Sequence, residues 1–293
     1  MKFGLIGHPI AHSLSPALFK AGYDGRYPYE LIETPDFEEA YERFLKDYDG
    51  INVTAPFKEQ AFAKAAILSE ECMLVGAANL LVKTPEGIKA FNSDFLGVRM
   101  WLQEVSLRSS EGATSKRTPP TAARGVARFS PVAPSEDHKA RVLIVGTGGA
   151  GKAAAAAALS LGMDVTLMNR SREKADRLAK DFSRNGYQAD VKDLDSFREC
   201  FRKADMIIYN IPTAIPQLDG LTDDDFAPGR AKYILEANYR DPSFSPGFIS
   251  RMKEANPHVE YTGGRTWLLY QAVTGYGIFT GESPDLGKMS DVL

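Results

Sequence analysis

Apolar and polar positions change period several times along the chain, and each change marks an element. Residues 3–6 form a short apolar run ending at Gly7, which predicts a buried strand; residues 15–23 follow a helical period with Pro16 in the first turn. Residues 29–32 predict a second strand. Asp36 then caps an amphipathic helix whose apolar stripe is Phe37, Ala40, Tyr41, Phe44 and Leu45. Residues 50–54 predict another strand. Residues 80–82 and 88–91 flank the turn signal Pro85-Glu86-Gly87 and predict a hairpin. Further on, residues 141–145 read as a fully buried strand and 153–161 as an alanine-rich helix. Residues 163–168, 206–209 and 233–235 read as strands, 171–182 as a helix, and about 266–279 as the last helix. This alternation of strands and helices predicts an α/β protein with parallel pairing and right-handed crossovers.

The pattern breaks once. Residues 106–139 hold six Ser, three Thr, four Pro and six Lys or Arg, with Phe129 the one aromatic. Such a stretch buries too little apolar surface to offset the ordering of its backbone, and is expected to be a flexible insert. It separates two α/β blocks, as the 293-residue length allows. A hydrophobic fraction of 44%, a charged fraction of 25% and a net charge of −3 exclude a mainly disordered chain and give no basis for nucleic-acid or lipid binding. Cys72 and Cys200 make neither a disulfide framework nor a metal cluster. No apolar run approaches the ~20 residues of a membrane span, and the early Gly-His-Pro turn leaves no signal-peptide core. The expectation is a cytoplasmic protein without a metal.

Chemistry concentrates first at Gly146-Thr147-Gly148-Gly149-Ala150-Gly151, where Gly146, Gly148 and Gly151 fit G-x-G-x-x-G. The motif follows a predicted strand and opens a predicted helix. Glycine there permits the tight turn and close backbone approach, while the helix N-terminus offers N–H groups to a diphosphate. Cofactor choice falls at the end of the next strand. An NAD site places a carboxylate there for the ribose 2′-hydroxyl. This chain has Asn169-Arg170-Ser171, then Arg172 and Lys174, with no carboxylate before Glu173. Donors and cations at a helix start ask for an anion, which suits the 2′-phosphate of NADP.

In the first block, Ser13-Leu14-Ser15 places two hydroxyls where they can grip a small anion; the pattern also reads as an N-cap, and Ser15 before Pro16 suits both roles. Asn52-Val53-Thr54-Ala55-Pro56-Phe57-Lys58 puts Lys58 at a helix start, against the dipole, although an ordinary surface lysine fits that spacing equally. Asn92-Ser93-Asp94 closes the hairpin and caps the helix beginning near Phe95, which leaves Asp94 open to a second role.

These segments occur in order: Gly7-His8-Pro9-Ile10-Ala11-His12-Ser13-Leu14-Ser15-Pro16, Asn52 to Lys58, Gly76-Ala77-Ala78-Asn79-Leu80, Asn92-Ser93-Asp94, Gly146 to Ala150, Asn169-Arg170-Ser171 and Gln271-Ala272. The chain resembles the shikimate dehydrogenase family over nearly its whole length apart from the insert. The resemblance implies an N-terminal α/β substrate-binding domain (1–105 with 264–293), the insert (106–139) and a C-terminal NADP-binding Rossmann domain (140–263), with a cleft between the domains. It implies that the final helices return to the N-terminal domain. It implies Lys58 and Asp94 as the catalytic pair, Ser13 and Ser15 on the substrate carboxylate, and Thr54, Asn79, Gln271 and Tyr239 around the substrate. Gly146, Gly148, Gly149, Ala150, Asn169, Arg170, Ser171, Lys174 and Gly264 are implied for the cofactor.

The activity implied is reversible reduction of 3-dehydroshikimate to shikimate by NADPH, with the small-molecule substrate as partner and a monomer or homodimer as the assembly. The alternatives are a quinate/shikimate or aminoshikimate dehydrogenase, or a non-catalytic NADP- or metabolite-binding regulator. The chain departs from the family pattern at Ala78 and Leu80, at Tyr209-Asn210-Ile211-Pro212-Thr213 and at Arg265-Thr266-Trp267. The last two departures bear on the nicotinamide pocket.

Overall fold

The computed structural model describes residues 1–110 and 139–293. These divide into two compact units: residues 1–97 with 268–293, and residues 98–110 with 139–267. Both divisions fall inside helices rather than at the insert or at Gly264. Residues 106–110 of the expected insert continue a helix, and 111–138 lie outside the described residues.

In the first unit the order is β1 (Phe3–Gly7), α1 (Ser15–Gly22), β2 (Tyr29–Glu33), α2 (Phe37–Asp47), β3 (Gly50–Val53), α3 (Lys58–Lys64), β4 (Ile67–Leu68), α4 (Glu70–Val75), β5 (Leu80–Thr84), β6 (Gly87–Phe91) and the start of α5 (Ser93–Ser110). The sheet order is β2-β1-β3-β5-β6-β4. β1 pairs in parallel with β2 and β3, which sets Leu5 between Leu31 and Asn52. The predicted hairpin inserts here as an antiparallel β5–β6 pair, and β5 also runs antiparallel to β3. The sheet is therefore mixed, not all parallel.

Asp36 accepts from the N–H groups of Glu38 and Glu39, as an N-cap should. Phe37, Ala40, Tyr41 and Phe44 of α2 are buried against the sheet. Leu45 is 44% exposed: the apolar stripe is one residue narrower than its sequence suggests. On the opposite face Phe3 and Phe279 stack with centroids 4.9 Å apart, and Phe19 meets both rings at an angle.

The second unit is built from β7 (Arg141–Val145), α6 (Gly149–Ser160), β8 (Asp164–Met168), α7 (Arg172–Arg184), β9 (Ala189–Val191), α8 (Phe197–Lys203), β10 (Met206–Tyr209), α9 (Pro216–Asp219), β11 (Lys232–Glu236), α10 (Pro246–Ala255) and β12 (Val259–Thr262). All pairs are parallel, in the order β12-β11-β10-β7-β8-β9. This is the doubly wound order, whose switch point lies between β7 and β10. Ala153 to Ala158 are fully buried, so α6 approaches the sheet closely. Helix α11 (Gly264–Thr280) starts in this unit and ends in the first, where α12 (Leu286–Ser290) packs on α1. Among the described residues no helix is long and apolar enough to cross a membrane.

Candidate active site

In the first unit, the loops leaving the adjacent strands β1 and β3 are tied together: Thr54 N donates to Ile6 O (2.9 Å) and His8 N to Ala55 O (3.2 Å). The β1 loop then turns, with Ser13 N donating to Ile10 O at 2.8 Å. Ser13 Oγ lies 3.1 Å from Ser15 Oγ and accepts from Ser15 N at 3.2 Å. The two predicted hydroxyls are thus side by side. Ser15 is not the cap of α1; it is the first helical residue, and the cap position, Leu14, carries no side-chain bond.

The loop after β3 delivers Lys58 to the first position of α3, and its ammonium bonds Asp94 Oδ2. The Lys58 side chain is 25% exposed and that of Asp94 7%, so the pair is largely withdrawn from water with one open side. Asp94 does not cap α5. That task falls to Asn92, whose Oδ1 accepts from Phe95 N at 3.0 Å while its Nδ2 donates to Ala77 O at 2.9 Å. Asn79 braces the same corner: its Oδ1 accepts from Ser93 N at 2.7 Å, and its carbonyl accepts from Val53 N at 2.9 Å. Ala78 N donates to Lys58 O at 3.0 Å, so the segment before β5 seats both members of the pair. Gln271, on α11, lies against Gly97 in α5: a Cβ at Gly97 would stand 2.8 Å from Gln271 N.

Three residues here were not anticipated. Tyr29 Oη donates to Asn52 Oδ1 (2.8 Å), and Asn52 Nδ2 reaches Asn79 O (3.4 Å). Tyr276 Oη donates to Ser15 O at 3.1 Å. Burial pushes both phenols well above their ordinary range, which keeps them neutral donors. Glu71 is buried as well, accepting from Ser69 Oγ at 2.5 Å and from Asn92 N at 3.4 Å. In sequence a tyrosine within an apolar stripe reads only as core, so no signal separates Tyr29 and Tyr276 from their aromatic neighbours.

The second unit carries the glycine loop at the switch point. Gly146 has φ +93°, and a Cβ at Gly151 would stand 1.9 Å from Gly146 O, so both positions require glycine. Gly148 and Gly149 differ: a Cβ there meets nothing within 4 Å. No side chain caps α6. An uncapped helix start beneath an open glycine surface leaves backbone N–H groups accessible to an anion.

At the end of β8, Asn169 spans the glycine loop and the next helix. Its Oδ1 accepts from Thr147 N (3.3 Å) and its Nδ2 donates to Ser171 O (2.9 Å). Ser171 Oγ donates to Glu173 Oε2 at 2.8 Å, which holds that carboxyl below its usual range. Arg172 is committed to Asp193 and Asp176. Arg170 and Lys174 have no ion pair among the described residues. Of the predicted cationic cluster, they are the two charges left for a ligand.

Gly264 packs against the end of β11, where a Cβ would stand 2.3 Å from Ala237 O and 3.0 Å from Tyr239 N. The structure thereby brings the predicted Tyr239 and Gly264 together. The departing loop after β10 is pinned: Tyr209 Oη donates to Thr213 O (2.8 Å) and accepts from Ile215 N (3.1 Å), and Asn238 Nδ2 donates to Pro212 O (3.0 Å).

The chain matches two domain profiles: the shikimate dehydrogenase substrate binding domain over residues 5–81, and shikimate/quinate 5-dehydrogenase over residues 132–219. A shikimate dehydrogenase (NADP(+)) of Methanothermobacter thermautotrophicus is 28% identical, covering 99% of this chain and 94% of that one. The crystal structure of Mycobacterium tuberculosis shikimate dehydrogenase superposes with a TM-score of 0.74 at 26% identity, covering 99% of this chain and 98% of that one. Quinate dehydrogenase from Corynebacterium glutamicum, solved in complex with NAD, shares the fold at TM-score 0.76 and 21% identity, over 100% of this chain and 98% of that one. These matches, on a chain with two α/β sheets of which one is doubly wound with a glycine loop at its switch point, place it among oxidoreductases with a nucleotide-binding domain. The chain belongs to the shikimate dehydrogenase family.

Proposed function

We propose that this chain is an NADP-dependent shikimate dehydrogenase that interconverts 3-dehydroshikimate and shikimate. The observation that carries this reading is the Lys58–Asp94 pair, largely withdrawn from solvent with one open side. Reducing a ring ketone needs a hydride donor and a proton source at the oxygen that becomes an alkoxide. NADPH supplies the hydride when bound. Lys58, as ammonium, stabilises the developing oxyanion and delivers the proton; Asp94 holds Lys58 in place and shares its charge. Ser13 and Ser15 grip the substrate carboxylate, while Thr54, Asn79, Gln271 and Tyr239 address the rest of the substrate.

On the cofactor side, the Gly146–Ala150 loop takes the diphosphate, Gly264 lies by the nicotinamide, and Asn169 and Ser171 shape the pocket for the ribose. Arg170 and Lys174, the uncommitted cations after β8, favour a 2′-phosphate, and position 169 offers no carboxylate to an unphosphorylated ribose. The fold shared with an NAD-bound quinate dehydrogenase makes quinate oxidation the second reading. An absorbance assay of nicotinamide reduction, with shikimate and quinate each tested against NADP and NAD, decides between them. Fastest turnover on shikimate with NADP is expected; faster turnover on quinate, or with NAD, overturns the assignment.

A further inference from the structure

Within the serine turn that opens α1, Ser13 N donates to Ile10 O (2.8 Å), Leu18 N donates to Leu14 O (3.0 Å), and Ser13 and Ser15 make two contacts of 3.1 and 3.2 Å; Leu14 supplies no side-chain cap. A side chain distant in sequence reaches it: Tyr276 Oη donates to Ser15 O, across 261 positions. Tyr29 lies beside them, its hydroxyl donating to Asn52 Oδ1 while also interacting with the Ser15 and Tyr276 side chains. Tyr276 is itself locked in the core, its ring edge-on to Phe19 with centroids 4.7 Å apart.

The helix carrying Tyr276 also touches the element that carries Asp94. Gln271 lies against Gly97, and one turn later Gly275 lies against Ser93, where an added Cβ would stand 3.4 Å from Ser93 Cβ. Helix α11 therefore contacts α5 through Gln271 and Gly275, and α1 through Tyr276. It spans the distance between the hydroxyl pair and the Lys58–Asp94 pair.

We propose that Tyr276 is a positioning residue: its bond to the Ser15 carbonyl fixes the serine turn so that both hydroxyls present themselves to the substrate carboxylate at a set distance from Lys58. The inference rests on the shikimate dehydrogenase reading above. Because the carboxylate grip is the same in the ground and transition states, its loss acts on binding and leaves the chemical step alone.

Three variants test it: Tyr276→Phe, Ser13→Ala/Ser15→Ala, and the triple combination. Steady-state kinetics, calorimetric titration of shikimate without cofactor, and melting temperatures are recorded for each. Loss of one neutral hydrogen bond in Tyr276→Phe is expected to weaken shikimate binding and raise KM roughly three- to tenfold, with kcat held. In the Ser13→Ala/Ser15→Ala background the same change is expected to have no further effect on KM. A lower melting temperature with unchanged KM overturns the inference, as does an equal KM increase in both backgrounds. Wild-type chain that binds no shikimate overturns the functional reading and the inference with it. Wild-type binding matched by Tyr276→Phe overturns the inference alone.

Discussion

Lys58 and Asp94 pair at the N-termini of two helices: Lys58 is the first residue of α3, and Asp94 lies in the first turn of α5. The helix dipole favours Asp94 there and opposes Lys58, so the carboxylate offsets the cost of holding an ammonium at that end. Removing either partner is expected to lower turnover by roughly 10²–10⁴, the range for a positioned acid/base group. Because the two act as a unit, the Lys58→Ala/Asp94→Ala double variant should be little worse than the poorer single. Asp94→Ala should also lower the melting temperature, since it leaves a largely buried ammonium facing a helix start without its partner. Near-native kcat in both single variants would disprove the assignment.

Cofactor choice is expected to rest on Arg170, not on Asn169. A charge-assisted hydrogen bond contributes about 1.5–3 kcal/mol, so Arg170→Ala should weaken NADP binding by about one to two orders of magnitude. NAD, which lacks the phosphate, should be unaffected. Asn169→Ala should weaken both cofactors together, because its amide ties the glycine loop at Thr147 to the start of α7 at Ser171. Dissociation constants for both cofactors across these variants check this; equal weakening by Arg170→Ala would refute it.

The parts of this molecule legible in sequence are those where local pattern and chemistry coincide. The β7–loop–α6–β8 run shows its glycines, its apolar strands and its alanine helix all at once. Lys58 and Asp94 were readable as residues at helix starts, though their pairing came from the family resemblance and their bond from the fold. Short or contextual features were not legible. With two residues, β4 shows no period, and nothing local reveals that the β5–β6 hairpin inserts antiparallel between β3 and β4. Tyr29 and Tyr276 contribute through their hydroxyls, which apolar patterning ignores. Lys232, at the head of β11, has the sequence look of a surface charge, yet it is 0% exposed.

The glycines of the nucleotide loop should separate into two classes on substitution. Gly151→Ala forces a methyl against Gly146 O and should destabilise the fold by roughly 1–3 kcal/mol, as overpacking does. Gly148→Ala meets open space at an ordinary φ of −71°, so its melting temperature should match wild type. If the loop cradles the cofactor diphosphate as proposed, the methyl would crowd that approach to the backbone, and NADP affinity should fall. Unchanged affinity in Gly148→Ala would show that the loop does not cradle the cofactor.

Lys232 gives the second unit a predictable response to pH. Its Nζ donates to Phe201 O (2.7 Å) and Ala204 O (2.6 Å) at the end of α8, and sits 5.1 Å from the Phe201 ring centre. Burial lowers its pKa to about 7; the charges of Arg230 and Arg141 push the same way, and Asp205 opposes them. In the unfolded chain the amine keeps its proton to about pH 10.4. Between about pH 7 and about pH 10 the unfolded state therefore binds more protons, and stability contributed by this group rises with pH across that window. Lys232→Met fills similar space without a titrating group and should remove that part of the slope. Both tryptophans, Trp101 and Trp267, belong to this unit and are buried, so their fluorescence reports its unfolding in urea. The wild-type midpoint is expected to gain on that of Lys232→Met as pH rises through the window. A difference between the two that stays constant with pH would mean the amine keeps its proton in the fold, its two carbonyl bonds outweighing burial.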